Sequence, residues 1–504
     1  MPPRNAVVIL LDSLNRHMVG AYGGREFDTP NLDRFAAGAL RFTQHYSGSL
    51  PCMPARHDLL CGALDFLWRP WGSIEIWEDA LPRLARLEGV TAHLVADHPH
   101  LFETGGENYH TDFTTWEYER GHEGDTWRTR PDPSAVGTPT LPAAAASPIP
   151  HPYDITRTYY REEHDFPGPR TMTAAAQWLA DNAGYHDQFL LFVDEFDPHE
   201  PFDTPEPWAS RYDDDWEGPR LIWPPYAIDA LASGRVTERE ARHIRANYGS
   251  KLSMIDHWFG RVLDELDAND CWADTAVFVC TDHGHYLGEH DAFGKPQLPV
   301  YQTLGHIPLL VRWPGVAARD VDALTTNVDI FATLADVFGV EPPQRTHGHS
   351  LVPLITGASS SIREYALLGI WGRQVQVVDG TTKYVAAPDG ENAPLTMWSN
   401  RWSTMPIHAF PQVTLPKPDA RATLAFMPGS TVPVIRQPFA PGDMLPFWAG
   451  GGFGTSMVFR LDLDPDETEN RAGGSEEKAA RDLLHAALTD VEAPREQFER
   501  LGLG

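Results

Sequence analysis

With 504 residues, 42% of them hydrophobic, the chain can bury one large core and a smaller one, and a globular enzyme is the expectation. Its 70 acidic against 40 basic residues give a formal charge of -30, which repels nucleic acid and anionic membranes and argues against both as partners. A small anionic substrate stays open, because a metal ion with local Lys, Arg and His reverses the potential inside a pocket.

The apolar run 6–11 near the N-terminus is too short for a signal peptide or membrane span, so a cytoplasmic protein is expected. Four apolar runs have strand length and end on Asp: 6–11 on Asp12, 91–96 on Asp97 and His98, 189–193 on Asp194 before His199, and 275–281 on Asp282 and His283. Taken singly, each Asp also fits a turn or helix cap. Taken together, parallel strands place all their carboxyl ends on one edge of a sheet, where ligands bind, so the four termini can meet in one site. Helical spacing over 29–38, 171–183 and 237–266 supplies helices to cover that sheet. Residues 119–169 form a polar, Pro- and Gly-rich excursion that reads equally as a lid or as a solvated insertion. Beyond residue 356 the runs 365–371, 373–378 and 382–386 predict a small antiparallel sheet, followed by a Pro- and Trp-rich stretch (397–452), a strand at 456–461 and a helix over 476–491. Four cysteines (Cys52, Cys61, Cys271, Cys280) without a CxxC pair support neither a disulfide framework nor a zinc knuckle.

The most specific segment is Cys52-Met53-Pro54-Ala55-Arg56, continuing to Gly62. Pro54 suits a first helical turn, which puts Cys52 near a helix N-terminus where free N–H groups favour a developing anion. On these residues alone Cys52 is a packed thiol, a thiolate of lowered pKa, or a modified nucleophile. The pentapeptide resembles the sulfatase signature C-x-P-x-R, whose Cys is oxidised to formylglycine by a formylglycine-generating enzyme. Ile9-Leu10-Leu11-Asp12 resembles that family's first strand and metal ligand. Cys280-Thr281-Asp282-His283-Gly284 resembles its second metal motif, Phe293-Gly294-Lys295 the place of its anion-binding Lys, and His199-Glu200-Pro201-Phe202 its H-x-P-[FY] element. Arg460-Leu461-Asp462-Leu463-Asp464-Pro465 resembles its closing strand and turn, so the resemblance spans most of the chain.

Two positions depart from the family pattern. Ser13 stands where many members carry a second Asp, which resembles the phosphonate monoester hydrolase branch and its manganese. Ala96-Asp97-His98 stands where members carry Lys-x-His, so His98 matches while the Lys is replaced; His100 competes with His98 for the role, and an Asp97–His98 pair that merely orders the loop fits equally.

The resemblance implies an alkaline-phosphatase-like α/β fold: a large mixed sheet flanked by helices over 1–360, and a smaller C-terminal α+β part with an antiparallel sheet over 361–504. It implies a hydrolase cleaving a small-molecule sulfate monoester, with catalytic Cys52, Arg56, His199, Lys295 and His98. Asp12, Asp282 and His283 would hold one divalent cation, calcium first and manganese as the alternative. A phosphonate monoester or phosphodiester hydrolase with the same site is the alternative reading, and an inactive binding protein of this fold a third. The sequence does not set the oligomeric state, and a homo-oligomer is compatible with it.

Overall fold

The structure is a computed structural model that describes residues 2–135, 152–296, 298–343, 345–401, 417–450 and 452–504. The tip of the 119–169 excursion and residues 402–416 of the Pro- and Trp-rich stretch lie outside the described residues.

Eight strands form the large sheet: β1 (Asn5–Leu11), β2 (Leu40–Tyr46), β3 (Thr91–Ala96), β4 (Thr115–Tyr118), β5 (Phe189–Glu195), β6 (Thr275–Cys280), β7 (Leu309–Arg312) and β8 (Arg319–Thr326), in the order β8-β2-β7-β6-β1-β5-β3-β4. Only β7 runs against its neighbours β2 and β6; every other pairing is parallel. The four strands expected to converge are therefore contiguous, β6-β1-β5-β3, with Leu10 in register with both Asp194 and Cys280. The sheet is mixed because of β7, whose direction apolar periodicity cannot reveal.

Central strands buried on both faces read as unbroken apolar runs, and β1 shows why. Its residues alternate between two cores: Ala6, Val8 and Leu10 face one, Val7, Ile9 and Leu11 the other. The second core is closed by α1 (Pro30–Ala36), α3 (Pro167–Asn182) and the long α4 (Glu238–Ala268). A capping box fixes the start of α4, where Thr237 and Glu240 satisfy each other's backbone N–H groups. The first core is closed by α2 (Cys52–Cys61) and α5 (Asn327–Phe338). Gly62 ends α2 at φ +71, and a Cβ there would run into the Phe331 ring of α5, so glycine serves both the cap and the close helix approach.

The C-terminal part adds β9 (Ala366–Ile370), β10 (Val375–Val378), β11 (Thr382–Ala386) and β15 (Met457–Arg460) in one sheet, backed by α6 (Ser475–Asp490). A three-stranded sheet of β12 (Leu395–Ser399), β13 (Thr423–Ala425) and β14 (Val434–Phe439) occupies the stretch left unassigned by periodicity. Ser49–Leu50 pairs with Gly369–Ile370 of β9, so the backbone entering α2 is also an edge of the small sheet. All four cysteines are free, and among the described residues no helix is long and apolar enough to cross a membrane.

Buried histidines should make this fold acid-sensitive. His45 in β2 is fully buried between Thr325 Oγ1 (2.9 Å) and Asn327 Oδ1 (3.1 Å), and burial pushes its pKa down to about 4. An unfolded chain takes up that proton near pH 6.5, so as pH falls from about 6.5 to 4 the unfolded state binds more protons and stability drops, at about 1.4 kcal/mol per pH unit for this group. His45→Gln should therefore flatten the acid limb of a urea-stability profile between pH 6.5 and 4 while lowering stability little at pH 7.5; parallel profiles for the two proteins would exclude His45 as a contributor.

Candidate active site

At the carboxyl edge of β6-β1-β5, Asp12, Asp194 and Asp282 converge on the Arg56 guanidinium. Arg56 lies one turn after Cys52 on α2. It pairs with both oxygens of Asp194 (2.8 and 2.6 Å), with Asp282 Oδ2 (2.9 Å) and with Asp12 Oδ2 (2.9 Å), and it donates to the Cys52 carbonyl (3.2 Å). All four charged groups are 2% exposed or less. Three carboxylates this close repel one another strongly at low dielectric, and one planar, five-donor cation holds them in place. Burial alone would raise the Asp12 pKa, but Arg56 and the neighbouring imidazoles hold it well below the usual carboxylate range.

Ser13 fits this arrangement in place of a second carboxylate. It sits at φ +61, its N–H donates to Asp282 Oδ1 (3.0 Å) and its Oγ donates to Asp12 Oδ1 (2.8 Å), so one residue orients both acids. The Tyr248 hydroxyl from α4 locks the turn, accepting from Asn15 N–H (2.9 Å) and donating to Ser13 O (3.0 Å). Cys52 Sγ lies 3.2 Å from His283 Nε2, while His283 Nδ1 donates to Gly284 O (2.8 Å), which fixes the tautomer and leaves Nε2 as a free donor atom for a metal.

A divalent cation fits these residues. Donor atoms of Asp12, Cys52, Asp282 and His283 all lie within 4.8 Å of one another, and Asp12 Oδ2 is buried without a hydrogen bond of good geometry despite its proximity to Arg56. Two carboxylates with an imidazole suit a hard or borderline ion.

Lys295 Nζ also approaches Cys52: it stands 3.9 Å from Sγ, 3.3 Å from Ser13 Oγ and 2.6 Å from His199 Nε2. Lys295 is 4% exposed rather than a solvated surface residue; burial lowers its pKa, but Cys52, Glu200, Asp12 and Asp282 around it outweigh that and raise it. An ammonium can only donate, so His199 Nε2 accepts, and the His199 proton sits on Nδ1, donated to Glu200 O (2.8 Å). The Glu200 carboxylate lies 3.3 Å from the same Nδ1 and accepts from the Tyr226 hydroxyl; burial would raise its pKa, but His199 and Lys295 bring it down to about 2.

The structure separates the two competing histidines. His98 is fully buried, with Nε2 3.5 Å from Asp12 Oδ2 and its ring against Phe196, and burial with Arg56 nearby holds it neutral. His100 turns away to Glu103 (3.0 Å) and Glu123 (3.1 Å). Asp97 does not pair with His98; it accepts from Phe196 N–H (2.8 Å). Glu123 and the buried His122, which reaches Asp197 (2.6 Å), show that the 119–169 excursion starts packed against the site and is not a merely solvated insertion there.

Asp282 is 0% exposed, and its side chain accepts from Ser13, Arg56, Thr281 and His283, all internal groups, so this strand-end acid does not face solvent. Asp194, Glu200 and Tyr226 were not assigned roles from sequence. Asp194 was visible only as another strand-terminal Asp, and nothing local in the sequence links Glu200 with Tyr226, 26 residues on.

The sulfatase family model matches residues 4–340. The chain is 25% identical over 413 residues to the choline-sulfatase of Rhizobium meliloti (strain 1021), covering 76% of this chain and 78% of that one. It is 25% identical over 424 residues to a multifunctional alkaline phosphatase superfamily protein of Trinickia caryophylli, covering 72% and 79%. Among solved structures, the phosphonate monoester hydrolase of Agrobacterium radiobacter superposes with a TM-score of 0.62 at 20% identity over 97% of this chain and 95% of that one. The fold is thus alkaline-phosphatase-like, and with two thirds of its length matched by the family model this chain belongs to the sulfatase family.

Proposed function

We propose that the protein hydrolyses a sulfate monoester of a small alcohol, with residue 52 as formylglycine made by a formylglycine-generating enzyme, and with one divalent cation held by Asp12, Asp282 and His283. The observation that carries this reading is that Cys52 Sγ touches both sets of groups: it lies within 4.8 Å of the donor atoms of the three candidate ligands and 3.9 Å from Lys295 Nζ, which in turn reaches His199 Nε2 at 2.6 Å. The thiol itself is a poor nucleophile here, because burial and the adjacent Asp12 raise its pKa well above the ordinary value.

The cation supplies Lewis-acid stabilisation of an ester oxygen and lowers the pKa of a hydroxyl beside it. Formylglycine supplies, in its hydrate, one hydroxyl to attack sulfur and a second whose deprotonation expels sulfate as the aldehyde re-forms. The chain's own residues do the rest. Arg56 donates to the backbone carbonyl at 52, anchoring the nucleophile on the first turn of α2. Lys295 offers a positive charge to the equatorial oxygens, where charge develops in the transition state. Lys295 Nζ holds a proton against His199 Nε2, which can take it up and hand it to the departing alkoxide, and Glu200 beside Nδ1 keeps the His199 ring oriented for this.

General acid help matters most for poor leaving groups and is worth about 10²–10⁴-fold. His199→Ala should therefore slow phenyl sulfate hydrolysis far more than nitrophenyl sulfate hydrolysis; equal slowing of both would make His199 a binding residue and pass the acid's role to Lys295.

A second reading has its own support. Ser13 in place of a second carboxylate leaves a ligand set with one less negative charge, and no Lys stands at position 96, which favours a phosphonate monoester or phosphodiester. Matched aryl sulfate and aryl phosphonate monoesters separate the two: a higher kcat/KM for the sulfate supports the proposed activity, and a higher value for the phosphonate overturns it. The division of the chain near residue 360 belongs to the same proposal, supported by the change there from the large sheet to the small ones.

A further inference from the structure

The inner face of α2 carries a second constellation that the proposed reaction does not use. His57 and Cys61 stand one helical turn apart, so both side chains leave the same face. Glu78 reaches them from the segment before Leu81–Leu87, and donor atoms of His57, Cys61 and Glu78 lie within 4.8 Å of one another. Every member is buried: His57 2%, Cys61 4% and Glu78 7% exposed.

We propose that His57, Cys61 and Glu78 form a zinc(II) site on the far side of α2 from the catalytic centre. Thiolate, imidazole and carboxylate together are a zinc set, and three protein ligands leave the fourth tetrahedral position for a water or a small ligand. Space for that fourth ligand exists. A cavity of about 400 Å³ is lined by Cys61 and Glu78 together with Trp77, Asp79 and Arg345, which gives an entry path from the surface.

Two further observations point to a bound ion. His57 Nδ1 is buried with no hydrogen-bond partner, while Nε2 contacts Glu78 Oε1 at 2.9 Å and Asp65 Oδ2 at 3.4 Å. An outer shell is also in place: Arg69 binds Glu78 Oε2 (3.0 Å) and Glu75 Oε1 (3.0 Å), Glu75 N–H donates to Glu78 Oε2 (2.8 Å), and Arg345 holds Asp65 (2.8 Å). These contacts take Glu78 Oε2 and leave Oε1 facing His57 Nε2, where an ion would take the place of the proton the two atoms share.

The test uses cobalt(II) and zinc(II) on the full chain. In a Cys52→Ala protein, stripped with a chelator and titrated with Co²⁺, a thiolate-to-cobalt charge-transfer band should develop and should disappear on addition of Zn²⁺. Cys61→Ser in the same background should abolish the band and weaken zinc by more than the roughly 10–100-fold that loss of an outer partner costs. His57→Gln provides a second variant where Cys61→Ser lowers the yield of folded protein. Asp282→Ala, which removes a ligand of the other site, should leave the band intact. A Cys52→Ala protein that shows no band at saturating Co²⁺, or a band that survives Cys61→Ser, overturns the site, and neither result bears on the proposed ester hydrolysis.

Discussion

Arg56→Ala should abolish activity and also leave little folded protein. The substitution removes the one cation among Asp12, Asp194 and Asp282, all 2% exposed or less. Breaking a buried ion pair from one side costs about 3–5 kcal/mol because the partner is left uncompensated, and here three partners are left. Against a total stability of about 5–15 kcal/mol, the loss is large enough to shift the folding equilibrium. Arg56→Lys keeps the charge but cannot bind both oxygens of Asp194 while reaching Asp12 and Asp282, so it should fold with lowered stability and still be inactive. Urea unfolding of the two variants checks this order; an Arg56→Ala protein as stable as the parent would show that a bound cation, not Arg56, neutralises the acids.

Asp282→Ala should separate folding from chemistry more cleanly. Arg56 keeps Asp12 and Asp194, so no buried cation is orphaned, and the folding cost is that of two N–H groups, from Ser13 and His283, losing their acceptor. Each buried, unsatisfied group costs about 1–3 kcal/mol. Turnover should fall by at least about 10³-fold, since a Lewis acid contributes several kcal/mol of transition-state stabilisation and each 1.4 kcal/mol is tenfold. Asp282→Asn, which retains an acceptor for both N–H groups, should recover stability without recovering metal content or rate. Unchanged metal content in either variant would remove Asp282 from the ligand set.

The site was legible in the sequence to the extent that strand ends were. The runs ending on Asp12, Asp97, Asp194 and Asp282 are adjacent strands because doubly buried parallel strands read as continuous apolar segments, and shared direction brings their ends together. Strands at or next to a sheet edge escaped this reading. β2 mixes Arg41, Thr43 and Gln44 among its apolar residues, β8 begins Arg-Asp-Val-Asp, and β13 is three residues of largely exposed chain, so none carries the signal that two-sided burial writes. The direction of β7 is a property of its connections, not of its four residues. Within the site, spacing revealed which residues arrive but not which meet. Arg56 reaches Asp194 across 138 positions and Lys295 reaches His199 across 96, and only the folded chain shows that Ser13 links Asp12 to Asp282.

The central claim concerns the side chain at position 52, and its mass tests it most directly. Protein made together with a formylglycine-generating enzyme should yield a peptide spanning Cys52 to Arg56 that is about 18 Da lighter than its cysteine form, the change expected when CH2–SH becomes an aldehyde. Specific activity should rise in proportion to the converted fraction. A fully active preparation whose peptide retains unmodified Cys52 would contradict the account.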